Sequence, residues 1–201
     1  MIGQQRVSTG HTTPVRGDAP LRGVLLRAGV VVYGEIEMDY TFGPAKAAQI
    51  DAIMHIEQAG FTPEEAASRA AMTQRIAAYS DTFIVATTTS GTVAGYVVGP
   101  AFNQRYLIDE LYGDSQPNRP ADCYQTVLSL AVHPDFRDSG LGSALLEQLA
   151  SVALQQGRRA ITLTCLARLV PFYERNGFAN EGIADSAHAG ERWFNMVREL
   201  Q

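Results

Sequence analysis

The sequence is poor in the residues that most often announce a site. It holds two cysteines, Cys123 and Cys165, and four histidines. The cysteines fall on different predicted strands without metal-ligand spacing, so neither a zinc site nor a disulfide framework is expected. Reduced, buried thiols in a cytoplasmic protein fit them best. Basic residues number 16 against 21 acidic ones, a net charge of −5. That balance argues against nucleic acid or an anionic membrane surface as partner. No apolar run approaches the ~20 residues of a membrane span. The stretch 24–32 is broken by Arg27 and Gly29, and Arg6, Arg16, Asp18 and Arg22 interrupt any signal-peptide core. No Gly-x-Ser-x-Gly nucleophile elbow is present, and no Gly-Lys-Ser/Thr closes a Walker loop. Repeats and low-complexity tracts are absent as well.

What remains is a 201-residue chain, 46% hydrophobic, enough for one domain with an ample core. Residues 1–31 are rich in Gly, Thr, Arg and Pro and lack periodicity. They read as a flexible extension, with the domain over 32–201. Residues 35–42 alternate as a first strand. A Gly43-Pro44 turn leads into a helix over 45–58, with Ile50, Ile53, Met54 and Ile56 facing inward. Thr62-Pro63-Glu64-Glu65 predicts a capping box opening a second helix that runs to about residue 79. Residues 81–86 and 92–98 form a hairpin about Ser90-Gly91. Residues 100–122 make a long excursion over the mouth of a site, with a short helical turn over 106–112. A strand over 124–132 follows, then a helix over 143–156 carrying Leu145, Leu146, Leu149 and Leu154. A strand over 160–165, a helix over 168–176, a strand over 178–184 and a last strand over 192–199 complete the chain. Antiparallel strands early and parallel ones in the middle, flanked by helices, give an α/β (α+β) fold with a mixed sheet and helices on both faces.

Two segments carry chemistry. In the first, Leu130-Ala131-Val132-His133-Pro134 ends a strand, and Arg137-Asp138-Ser139-Gly140-Leu141-Gly142-Ser143 leads into a helix. Free N–H groups and the positive end of the helix dipole make such a junction an anion site, and glycine lets a phosphate approach the backbone. In the second, a strand is followed by Leu169-Val170-Pro171-Phe172-Tyr173-Glu174-Arg175-Asn176-Gly177-Phe178.

Together these segments resemble the GNAT superfamily of acyl-CoA-dependent N-acyltransferases. The first matches its Arg/Gln-x-x-Gly-x-Gly/Ala pyrophosphate loop and the second its Phe-Tyr-x-x-x-Gly-Phe helix and strand. The wording is most similar to the arylalkylamine (serotonin) N-acetyltransferase branch. The resemblance implies a mostly antiparallel sheet of about six or seven strands with a parallel central pair. It implies acetyl-CoA as cosubstrate, no metal, and direct transfer of acetyl to a primary amine of a small molecule. Arg137, Asp138, Ser139, Gly140, Leu141, Gly142 and Ser143 would hold the pyrophosphate. Backbone groups of Leu130, Ala131 and Val132 would meet the pantetheine amides. Tyr173 would be the general acid that protonates the leaving thiolate.

The base is less legible. An aliphatic ammonium, pKa ~10.4, must lose a proton before it attacks. The serotonin enzymes carry two histidines at the positions of Thr126 and Leu128, and neither is present here. Glu65 and His188 are the remaining base candidates, beside Glu64, Asp122 and Glu110, with ordered water as the other route. A peptide or protein acceptor is the alternative within the class, and a non-catalytic acyl-CoA sensor the alternative outside it. A homodimer is left open.

Overall fold

The computed structural model describes residues 40–113, 115–185 and 192–201. The expected extension, the start of the first strand and His188 lie outside the described residues. The elements are β1 (Tyr40–Pro44), α1 (Ile50–Gly60), α2 (Arg69–Tyr79), β2 (Phe83–Thr88), β3 (Val93–Val98), β4 (Ala101–Phe102), β5 (Tyr124–Thr126) and β6 (Ser129–Val132). They continue with α3 (Leu141–Gln155), β7 (Ala160–Leu166), α4 (Val170–Arg175), β8 (Ala179–Ile183) and β9 (Trp193–Glu199). The strands form two sheets, ordered β1-β2-β3-β6 and β4-β5-β7-β9-β8. Every pairing is antiparallel except β5 with β7.

Alternation along β2, β3 and β6 divides the core. Ile84, Ala86, Val97, Leu130 and Val132 pack under α3 with its Leu145, Leu146 and Leu149. Phe83, Val85, Tyr96, Val98 and Ala131 face α1 and α2. Both faces are therefore covered, which is why these strands read as continuous apolar runs. Each buried Leu of α3 contributes about 1.5–3 kcal/mol of transfer free energy. Leu154 lies off that stripe and is exposed; Ala150 and Ala153 continue it instead.

Among the described residues nine strands appear where six or seven were expected, for a local reason. The expected strand over 124–132 belongs to both sheets. Thr126 N–H donates to the Pro100 carbonyl at 3.0 Å, Val127 N–H to Thr162 at 3.0 Å, and Leu128 N–H to Val98 at 2.8 Å. The register pairs Val98 with Ser129, so two residues face one and the strand bulges there. Gly99 makes the crossing possible, since a Cβ there would fall onto the Thr126 carbonyl. Gln125 Nε2 donates to the Gly99 carbonyl at 2.7 Å and pins the switch.

The second helix starts at Arg69, not at Thr62. Glu65 does reach back to Thr62 N–H at 3.2 Å, but only a turn results. Ala67 N–H donates instead to Glu57 Oε1 at 2.7 Å, which draws the chain out of helical geometry. Ser68 then caps α2 by accepting from Ala71 N–H. The first helix also starts late, after a 3-10 turn at Ala47–Gln49, and β1 runs on through the expected Gly43-Pro44 turn.

Candidate active site

The sheet switch opens a cleft. Among the described strands β6 pairs with β3 alone, while β5 leaves β7 after Thr126↔Thr162. Beyond that point β6 and β7 part, and among the described residues each presents an edge that no strand pairs. His133 N–H donates to Ala94 at 2.8 Å across the antiparallel ladder. By alternation, the backbone groups of Leu130 and Val132 turn towards the cleft, and those of Ala131 towards β3. The side chains of all three are core.

At the end of β6, His133 Nδ1 accepts from Asp135 N–H and starts a 3-10 turn at Pro134–Phe136. Ser139 Oγ donates to the Phe136 carbonyl at 2.6 Å. Asp138 and Gly140 then adopt left-handed φ values of 60° and 79°, a conformation that glycine reaches without steric cost. Gly140 is the N-cap residue of α3 and no side chain caps the helix. The first helical bond is Ala144 N–H to Gly140, leaving the N–H groups of Leu141, Gly142 and Ser143 ahead of it. They border a pocket of about 200 Å³ whose walls include Gly140, Gly142, Ser143, Phe172 and Arg175. Arg175 was not singled out from the sequence. Its placement depends on a helix of one and a half turns that only the tertiary fold docks here.

Arg137 lines the same pocket, but its guanidinium has internal partners. Nε donates to the Val132 carbonyl at 3.3 Å and Nη2 to Ala59 at 3.0 Å, joining the loop to the end of α1.

Tyr173 sits on α4 between Phe172 and Phe178, with ring centroids at 5.0 and 5.5 Å. Only 2% of it is exposed. Burial pushes its phenol well above the usual value, with a smaller push from Cys165, so the hydroxyl stays protonated across the neutral range. Burial also raises the Cys165 thiol, to about 12, which keeps it a neutral packing residue. Gly177, at φ 80°, ends α4 as the Asn176-Gly177 pair predicts.

On the other face of β6 lies a cluster that the sequence reading passed over. Glu57 of α1 is 2% exposed. Its Oε2 accepts from the Tyr96 hydroxyl of β3 and from Ser129 Oγ of β6, the latter at 3.1 Å. Burial raises its carboxyl above the ordinary value; the bonds from Tyr96, Ala67 N–H and Ser129 and the charge of Arg75 oppose the rise. Glu57, Glu64, Glu65, Arg75, Tyr112 and Ser129 border a cavity of about 230 Å³. A sequence signal did exist. Residues 50, 53, 54 and 57 form one helical stripe, so Glu57 puts a charge where an apolar residue belongs.

Glu65 therefore sits at this cavity's border, and the excursion 100–122 supplies Tyr112 to it. That excursion is tied down. Asn118 Oδ1 accepts from Ala101 N–H at 2.7 Å, and Arg105 donates to Glu181 and Glu199 at 2.5 and 2.7 Å. Glu110 and Asp122 border a separate cavity of about 270 Å³ with Tyr79. Among the described residues no cluster of His, Cys, Asp or Glu could hold a metal ion, and no helix is long and apolar enough to cross a membrane.

The model of the Acetyltransferase (GNAT) family matches residues 50–178, taking in both α-helices before the hairpin, the cleft and α4. Serotonin N-acetyltransferase of Mesocricetus auratus is 33% identical over 93 residues, 46% of this chain. The chain spans 44% of that relative's length. Among solved structures, the GphF GNAT-like decarboxylase in complex with isobutyryl-CoA superposes on 80% of this chain and all of its own, with a TM-score of 0.67 at 17% identity. The ribosomal-protein-S18-alanine N-acetyltransferase of Escherichia coli covers 81% of this chain and 94% of its own, with a TM-score of 0.58 at 20% identity. Those two likenesses carry the fold alone. The family match spans well over half of the residues and includes the parted strands and the uncapped helix: this chain belongs to the GNAT acetyltransferase family.

Proposed function

We propose that the chain moves an acetyl group from acetyl-CoA directly onto the primary amine of a small molecule, in the cytoplasm. The observation that carries this reading is the opening between β6 and β7 beside an uncapped helix N-terminus. Extended amides meet the unpaired strand edge there, and phosphates meet the free N–H groups of α3. The residues fit the group: glycine at 140 and 142 keeps the approach clear, Ser143 adds a hydroxyl, and Arg175 adds a charge in place of the internally bonded Arg137. Asp138, Ser139 and Leu141 shape the turn rather than offer side chains to it.

Bound acetyl-CoA supplies an activated thioester. The chain's part is to orient it, to take a proton from the incoming ammonium and to give one to the departing thiolate. Tyr173 is suited to the last task, since burial keeps its phenol protonated. The resemblance to a serotonin N-acetyltransferase over 93 residues favours a small amine, as does an acceptor cavity of about 230 Å³. Thr126 and Leu128 are both fully buried where that branch has histidines, so an arylalkylamine relay of its kind is not carried over.

The reading is tested by free-thiol release from acetyl-CoA against a panel of small primary amines. Turnover with some of them, and none with tertiary amines, is expected. Tight acetyl-CoA binding without thiol release for any amine would make the chain a non-catalytic acyl-CoA-binding module instead.

A further inference from the structure

We infer that Glu57 is the proton acceptor for the incoming amine, reached through the Ser129 hydroxyl from the cavity between the α1–α2 connection and β6. This inference rests on the acetyl-transfer reading above. Three observations lead to it. First, Glu57 is buried yet borders the cavity, and Ser129, on the strand that edges the cleft, borders it too. Ser129 is thus a hydroxyl with the cavity on one side and the Glu57 carboxylate 3.1 Å away. Second, the cavity's charged walls are Glu57, Glu64 and Glu65 against Arg75. That excess of carboxylate suits an ammonium. Third, Arg75 is itself 3% exposed, and among the described residues it has no carboxylate within 4.0 Å. It acts on Glu57 through space, which restrains the rise that burial imposes.

The groups facing Glu57 are Tyr96 from β3, Ser129 from β6, Arg75 from α2 and the Ala67 N–H from the connection, with Glu64, Glu65 and Tyr112 around the cavity. A carboxylate whose proton affinity is raised by burial is a stronger base than a free one, which suits it to receive a proton from an ammonium. The proton balance closes. One ammonium proton passes to Ser129 Oγ as the hydroxyl's own proton passes to Glu57 Oε2, and Glu57 releases it to solvent. Nitrogen then bonds to the acyl carbon as the carbon–sulfur bond breaks. Tyr173 protonates the thiolate, and the second nitrogen proton replaces the one Tyr173 gave.

The test is kcat/KM against pH, for a small primary amine that the native chain acetylates, in the native chain, Glu57→Gln and Ser129→Ala. In the native chain kcat/KM should rise as Glu57 ionises and then level. Glu57→Gln should lose the plateau, fall about 10²–10⁴-fold at pH 7 and climb towards the amine's own pKa. Its acetyl-CoA thermal shift should be unchanged. Ser129→Ala should lose the plateau as well, and it carries the test if Glu57→Gln does not fold. A plateau retained in either folded variant overturns the inference while leaving acetyl transfer intact. Native chain that binds acetyl-CoA but acetylates no amine overturns the underlying reading, and this one with it.

Discussion

A single buried carboxylate organises much of what is particular to this chain. Glu57 joins α1, the α1–α2 connection, β3 and β6 through three hydrogen bonds. Its proton affinity also makes stability depend on pH. The folded carboxyl has a raised pKa, so between about 4.5 and that raised value the native state binds more protons than the unfolded one. Stability must then fall as pH rises through that window. Chemical denaturation of the native chain and Glu57→Gln across the window checks it: the fall attributable to this group should vanish in the variant. Tyr173 yields a different residue-scale prediction. If Tyr173 is the general acid proposed above, Tyr173→Phe should lower turnover about 10²–10⁴-fold, while leaving acetyl-CoA affinity within a few-fold. Single-turnover and binding measurements on the variant separate the two. Unchanged single-turnover chemistry would remove Tyr173 from the mechanism.

Elements show how far sequence carries and where tertiary context takes over. α3 and its loop were legible because helical spacing, two glycines and the strand before them agree. β7 and β9 were legible as short runs rich in strand-forming residues, and α4 as a short helix stopped by Asn176-Gly177. The split of residues 124–132 was not, since nothing in an apolar run tells which neighbour each N–H will choose. The start of α2 was misread because a local capping box competes with the Glu57 carboxylate, a partner that only the fold brings near. Among the candidate site residues, the glycines and Tyr173 announce themselves by motif. Glu57 and Arg75 announce themselves only as charges on otherwise apolar helical stripes. The excursion 100–122 belongs to this scale too. Arg105 clamps it to Glu181 and Glu199, holding the Glu181 carboxyl below the usual range. These side chains are partly exposed, so the network is worth little in global stability, within about 1 kcal/mol. Its effect should be local. Arg105→Ala should speed amide exchange around residues 103–112 while shifting Tm by only a degree or two. Unchanged exchange there would mean that the Asn118 bonds alone hold the excursion.

At the scale of the whole molecule, two half-sheets share one switching strand, and their divergence opens the candidate site. α1 and α2 cover one face of β2, β3 and β6 and α3 covers the other, so the fold itself fixes β6 at the edge of the opening. Such a preformed cleft should bind before any acceptor arrives, and binding to the native state alone must stabilise it. With acetyl-CoA at a hundred times its Kd the gain is about 2.7 kcal/mol, or roughly 5–10 °C in Tm for a domain of this size. Gly142→Asp introduces a side chain and a negative charge at the start of α3, against the approach of a phosphate. Thermal unfolding with and without acetyl-CoA, in the native chain and in Gly142→Asp, is the most direct measurement. A shift of several degrees in the native chain and none in the variant is the predicted result; an equal shift in both would contradict the placement of the cosubstrate between β6 and β7.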